Sequence, residues 1–133
     1  MNTTAITTVQ QAPGLYRTDL QHSDLSVPDR VVIQNRVDFF PDAPAVRHWH
    51  PGEEIIFILD GTLEYDIDGQ EALTVAAETV HSVKNVGGTH AAELATYVVE
   101  KDKPFLVVVE GSSRLGQGPG TTPVTLTDAT RRR

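Results

Sequence analysis

From Val31 onward the chain alternates between apolar and polar positions. In VVIQNRVDFF, Val31, Ile33, Val37 and Phe39 fall on one face, while Gln34, Arg36 and Asp38 fall on the other. That is the period of a half-buried strand. EIIFILD, from Glu54 to Asp60, is an apolar, β-branched run closed by Gly61. The next segment, TLEYDID, alternates without error: Leu63, Tyr65 and Ile67 face one way and Glu64, Asp66 and Asp68 the other. Asp60-Gly61 and Asp68-Gly69 are dipeptides that accept the positive φ of tight hairpin turns, so strands are expected to follow each other directly. Further strands are predicted at Ala72 to Val75, Thr79 to Asn85, Ala91 to Glu100 and Phe105 to Val109, punctuated by Gly87-Gly88 and Lys103-Pro104. No long stretch carries a helical apolar period. Many short strands without helical crossovers predict an all-β fold, an antiparallel sandwich or closed barrel.

The two ends read differently. Residues 1–30 are polar and carry Pro13, Gly14 and Pro28, which predicts an N-terminal arm with one short pairing strand. Residues 111–133 are rich in Gly, Thr and Pro and finish in three arginines, the composition of a flexible C-terminal tail. The barrel is expected between them, at 31–110. With 133 residues and no internal repeat, one domain is expected.

Apolar residues make up 39% of the chain and charged residues 22%, a balance that supports a packed core. A net charge of -7 repels phosphate backbones and anionic lipid, so neither nucleic acid nor membrane is an expected partner. The polar start MNTTAITTVQQ lacks the order of a secretory signal, and a cytoplasmic location is the expectation. Cysteine is absent, which excludes disulfides, thiolate nucleophiles and sulfur-ligated metals. Any metal must be held by nitrogen and oxygen.

The histidines then gain interest. His48 and His50 are two apart, and on a strand that spacing projects both rings from one face. Pro51-Gly52 redirects the backbone, Glu54 opens the next strand, and His81 lies on a later one. Single histidines are more often satisfied by ordinary hydrogen bonds. Four donors placed so that they can converge suit one divalent ion instead, iron(II), manganese, nickel, cobalt or zinc, with two positions of an octahedral ion left open. His22 and His90 lack partners in sequence and are expected at the surface. Trp49 and Arg47 alternate to the face opposite the histidines, where packing or a subunit contact is expected. Tyr97 and Phe57 are candidates for a pocket wall, although aromatic residues on strands usually pack in cores.

HWHPGEEIIFILDG resembles the first sequence motif of the cupins: His-x-His, three or four residues, Glu, six residues, Gly. That spacing selects Glu54 and Gly61 and leaves Glu53 outside. HSVKN, from His81 to Asn85, is similar to the end of the second cupin motif, a histidine followed three residues later by asparagine. The resemblance covers Val31 to Val109. Asp42 stands where the first motif has a glycine, and Ala76 and Glu78 stand where the second has proline and glycine. The stretch from Gly61 to His81 is short for the family, which predicts a shortened strand there.

The resemblance implies a jelly-roll barrel, a double-stranded β-helix, with one divalent metal on His48, His50, Glu54 and His81. Cupin activities range over dioxygenases, isomerases, decarboxylases, lyases and silent binding proteins, so the fold does not name the reaction. The expectation is a metal-dependent enzyme acting on a small oxygenated organic molecule, with a dioxygenase as the specific form. The alternatives are a redox-neutral isomerase, decarboxylase or lyase, and a non-catalytic module that binds a metal or small molecule. Strand edges that need covering make a homodimer the expected assembly.

Overall fold

The computed structural model describes residues 6–68, 74–109 and 123–128. Among them are eleven strands and no helix: β1 (Thr7–Ala12), β2 (Leu15–Asp24), β3 (Arg30–Phe39), β4 (His48–Trp49), β5 (Gly52–Asp60), β6 (Thr62–Ile67), β7 (Thr74–Val75), β8 (His81–Asn85), β9 (Ala91–Glu100), β10 (Val107–Val108) and β11 (Val124–Thr127). They form two antiparallel sheets, of order β1-β2-β3-β9-β5-β7 and β10-β4-β8-β6-β11, wrapped as a jelly-roll barrel.

The alternation read from the sequence is the alternation of burial. Val31, Val37 and Phe39 of β3 are buried, as are Leu63, Tyr65 and Ile67 of β6. Each fully buried aliphatic side chain is worth about 1.5–3 kcal/mol of transfer free energy, which fixes the parity of both strands. The main core joins Val37, Phe39, Ile56 and Ile58 of one sheet to Leu63, Tyr65 and Ile67 of the other. The apolar run of β5 splits by parity, with Glu54, Ile56 and Ile58 buried while Ile55, Phe57 and Leu59 lie exposed on the outer face. Phe57 therefore does not line a pocket.

Two turns position the strands that carry the histidines and Glu54. Gly61 takes φ 75° at the β5–β6 hairpin, as the Asp-Gly signal predicts. A Cβ there would stand 2.6 Å from the His90 carbonyl oxygen, so glycine is required for space as well as for φ. Residues 69–73 lie outside the described ones, which leaves the Asp68-Gly69 turn and the first half of the strand expected at 72–75 undescribed; β7 is the described remainder. Strand β8 starts at His81, two residues later than expected. Ala76 to Thr79 form the second turn, closed by Thr79 N–H to the Ala76 carbonyl at 3.3 Å, with Glu78 at φ 60°.

At the N-terminal end there are two strands where one short one is expected. The Pro13-Gly14 turn, with Gly14 at φ 76°, folds β1 back on a ten-residue β2 that extends the sheet beside β3. Of the expected flexible tail, residues 111–122 and 129–133 lie outside the described ones. Val124–Thr127 is not loose: it pairs with β6, and buried Asp128 accepts a hydrogen bond from Gly61 N–H at 3.0 Å.

Candidate metal centre

His48 of β4 stands directly opposite His81 of β8, so antiparallel pairing brings two rings together from strands far apart in sequence. His50 comes one bend later, and Gly52 starts β5 in the other sheet. A Cβ at Gly52 would lie 1.8 Å from the Val98 carbonyl oxygen, so only glycine lets β5 lie this close to β9. That close approach turns Glu54 inward beneath the histidines. One nitrogen from each of His48, His50 and His81 lies within 4.8 Å of the others, a group that can hold a metal ion. Glu54 Oε1 is 3.0 Å from His81 Nε2 and 3.5 Å from His50 Nε2. The three histidines singled out in the sequence thus form one group, and Glu54 lies within 3.5 Å of two of them.

The backbone orients each ring in the same way. Nδ1 of His48 donates to the Val46 carbonyl at 2.8 Å, that of His50 to Phe105 at 2.9 Å and that of His81 to Thr79 at 2.9 Å. With the proton fixed on Nδ1, each Nε2 keeps a bare lone pair, the arrangement that prepares a histidine for a metal. His50 Nε2 is buried and has no hydrogen-bond partner among the described residues, an acceptor that costs free energy unless something fills its lone pair.

Electrostatics agree with geometry. Burial and the neighbouring His81 lower the pKa of His48 to about 3, and burial and His48 lower that of His50 to about 3. Burial lowers that of His81 too. All three are neutral at physiological pH. Glu54 moves the other way, to about 8, because burial penalises its charge more than the Tyr97 hydroxyl bonded to it relieves. A protonated Glu54 can donate to the bare His81 Nε2 at 3.0 Å. Three neutral imidazoles, an orphaned lone pair and a proton that a cation can displace form a donor set suited to a divalent ion.

Beside these residues opens a cavity of about 170 Å³, lined by His48 and Glu54, by Tyr97 and Phe105, and by Arg17 and Glu93. Glu93 is 3% exposed, its carboxyl accepts the Tyr65 hydroxyl at 2.5 Å, and burial with nearby Glu54 raises its pKa to about 8. Neither Glu93 nor Arg17 stands out in the sequence motifs. The signal for Glu93 lies in AAELATYVVE, where the inward parity reads Ala91, Glu93, Ala95, Tyr97, Val99: one acid on an apolar face.

Other residues fall elsewhere. Glu53 is exposed on the outer face. Arg47 pairs with Asp68 at 2.8 Å, and His22 is exposed. His90, without partners nearby in sequence, gains them in space, with Asp38 at 2.7 Å and Asp60 at 3.0 Å flanking its ring. Both acids come from other strands, β3 and β5, which is why sequence proximity misses them.

The fold has solved counterparts. An oxalate oxidase structure shares 24% identity at a TM-score of 0.57, covering 74% of this chain and 57% of that one. The Lactobacillus farciminis oxalate decarboxylase formate complex shares 13% at 0.58, covering 78% and 33%. The Bacillus subtilis oxalate decarboxylase, studied for its Mn(II) centres, shares 20% at 0.53, covering 74% and 29%. This chain spans a third or less of the two decarboxylases, and at these identities the likeness carries the fold alone. No curated protein sequence matches the chain significantly. The cupin domain family does match it, over residues 35–109, the stretch that holds all four candidate ligands and most of the cavity wall, and the chain belongs to the cupin family.

Proposed function

We propose that this cupin is a divalent-metal-dependent enzyme that acts on a small oxygenated organic molecule, with one ion held by His48, His50, Glu54 and His81. The observation that carries the reading is a group of three neutral histidines whose ligand nitrogens lie within 4.8 Å of one another, two of them beside Glu54, at the wall of a cavity. A bound iron, manganese, cobalt, nickel or zinc ion would supply Lewis acidity, and iron or manganese would add redox chemistry. The protein's own residues do the rest. The backbone carbonyls of Val46, Phe105 and Thr79 hold the rings in one tautomer. Val37, Phe39, Val83 and Leu106 exclude water from the substrate.

Dioxygenase chemistry is the oxygen-consuming form of this reading. Glu93 supports the redox-neutral form, that of an isomerase, decarboxylase or lyase. Burial and nearby Glu54 raise the pKa of its carboxyl to about 8 beside the cavity, against the Tyr65 hydroxyl that donates to it. A general acid at that point can protonate a carbanionic or enolate-like product without an oxidant.

The test is metal content per chain of untagged protein, for the parent and for His48→Ala and His81→Ala. Near-stoichiometric metal lost in both variants supports the reading; a parent that takes up no metal even after reconstitution refutes it. A substrate screen with and without dioxygen then separates the two chemistries, because the redox-neutral form runs anaerobically.

A further inference from the structure

We infer that Arg17 anchors a carboxylate of the substrate, so that the molecules this centre takes are small carboxylic acids with an apolar body. The inference rests on the metal-dependent reading and gives its substrate a chemical class.

Arg17 enters from β2, outside the two motifs. Cross-strand register places Arg17 opposite Val37, Val37 opposite Glu93 and Glu93 opposite Ile58. The row lies on the inner face of the six-stranded sheet, the face that also carries Glu54, and Arg17 lines the cavity. Its guanidinium sits 5.9 Å from the centre of the Phe105 ring, whose backbone carbonyl holds His50. Asp19 accepts from Nε at 2.8 Å and from Nη2 at 3.4 Å, which fixes the plane of the guanidinium. Asp19 is fixed in turn by Asn35, whose amide nitrogen donates to it at 3.1 Å. Nη1 has no hydrogen-bond partner among the described residues.

A plain structural ion pair is the competing account, and β3 offers the comparison. Arg36 and Asp38 form the same pairing two residues apart, but on the outer face, where the Arg36 side chain is 42% exposed. The Arg17 side chain is 24% exposed and turned inward. Stability gives no reason to put a guanidinium on a cavity wall, because desolvation weakens the return on the pair. Recognition does: an oriented planar fork in a partly dry site is the group that binds carboxylate in two parallel hydrogen bonds.

Charge and size narrow the class. A divalent ion with Arg17 would give the cavity a cationic character, which favours an anion over a neutral molecule. Val37, Phe39, Val83 and Leu106 line the same space and call for hydrocarbon. A cavity of about 170 Å³ is close to one that takes a benzene-sized guest, so about six to eight non-hydrogen atoms fit.

The experiment is calorimetric titration of butanoate, pentanoate and hexanoate, each beside its amide, which has the same number of heavy atoms and no charge. Metal-loaded and metal-free parent, Arg17→Met and Arg17→Lys are compared, with metal content measured in every sample. Arg17→Met keeps the stem that packs on Phe105 and removes the charge. The expected result is a preference for carboxylate over amide in the parent that falls about ten- to hundred-fold in Arg17→Met and is partly kept in Arg17→Lys, with metal content unchanged. A parent that does not distinguish acid from amide overturns the inference. So does carboxylate binding that survives Arg17→Met, since the acid would then be held by the metal alone. Loss of metal from the parent counts against the metal centre, whereas the arginine dependence is read in metal-free protein as well, so the two failures are told apart.

Discussion

Metal uptake by the proposed four-residue centre should be coupled to one proton, with Glu54 setting the pH at which it leaves. Consider manganese(II) added to metal-free protein. His48 and His50 have pKa values lowered to about 3, so at pH 6 both are already neutral and release nothing. His81 is lowered as well. Glu54, raised to about 8, is protonated at pH 6 and must yield that proton before it can ligate. Glu54 is therefore expected to release about one proton per metal at pH 6 and about half a proton at pH 8, with none from His48 or His50. An exposed site with ordinary histidine pKa values would behave in the opposite way, releasing about two protons at pH 6 and about 0.1 at pH 8. Calorimetry in two buffers of different ionisation enthalpy gives the proton count directly. Manganese is the titrant because a more acidic ion such as zinc adds protons from its own bound water. Glu54→Gln should abolish the release and weaken binding. Glu93→Gln should leave the count near one, because Glu93 is not among the candidate ligands. Two or more protons released at pH 6 with almost none at pH 8 would refute the buried, preorganised centre.

Stability gives three more expected outcomes. The metal-free protein should lose stability as pH falls below about 6.5, because the folded state holds His50 neutral down to about 3; at pH 5 the loss from His50 alone is about 2 kcal/mol, readable by urea unfolding and removed in His50→Gln. Gly52→Ala should cost at least about 3 kcal/mol and release metal as well, since its Cβ would collide with the Val98 carbonyl at 1.8 Å and push Glu54 off the histidines; chemical denaturation and metal analysis check both arms. Glu78→Gly should raise stability by about 0.5–1 kcal/mol in the same assay, because Glu78 sits at φ 60°, where a Cβ is strained.

Glu78 also shows why part of this molecule is legible in its sequence and part is not. The second cupin motif carries a glycine where this chain has Glu78, and the conformation that calls for glycine persists without it. Backbone bonds hold the turn in place: Thr79 N–H to the Ala76 carbonyl, and Glu78 N–H to the His50 carbonyl at 2.8 Å. The second of these ties the turn before His81 to the second histidine of the first motif, so the geometry that places His81 survives the loss of its sequence signature. Short-range signals are read well because they act locally. Strict alternation in TLEYDID fixes which side chains are buried, and His-x-His on a strand fixes a shared face. Pairing between distant strands leaves no such trace. Nothing in the sequence sets Arg17 in the row of Val37 and Glu93, since that row depends on the register of β2 against β3 across a bulge between Asp19 and Gln21. The candidate metal ligands come from motifs whose spacing is local, whereas the far side of the cavity wall comes from register. The sequence therefore names the candidate donors, and only the assembled sheet shows which charges line the cavity beside them.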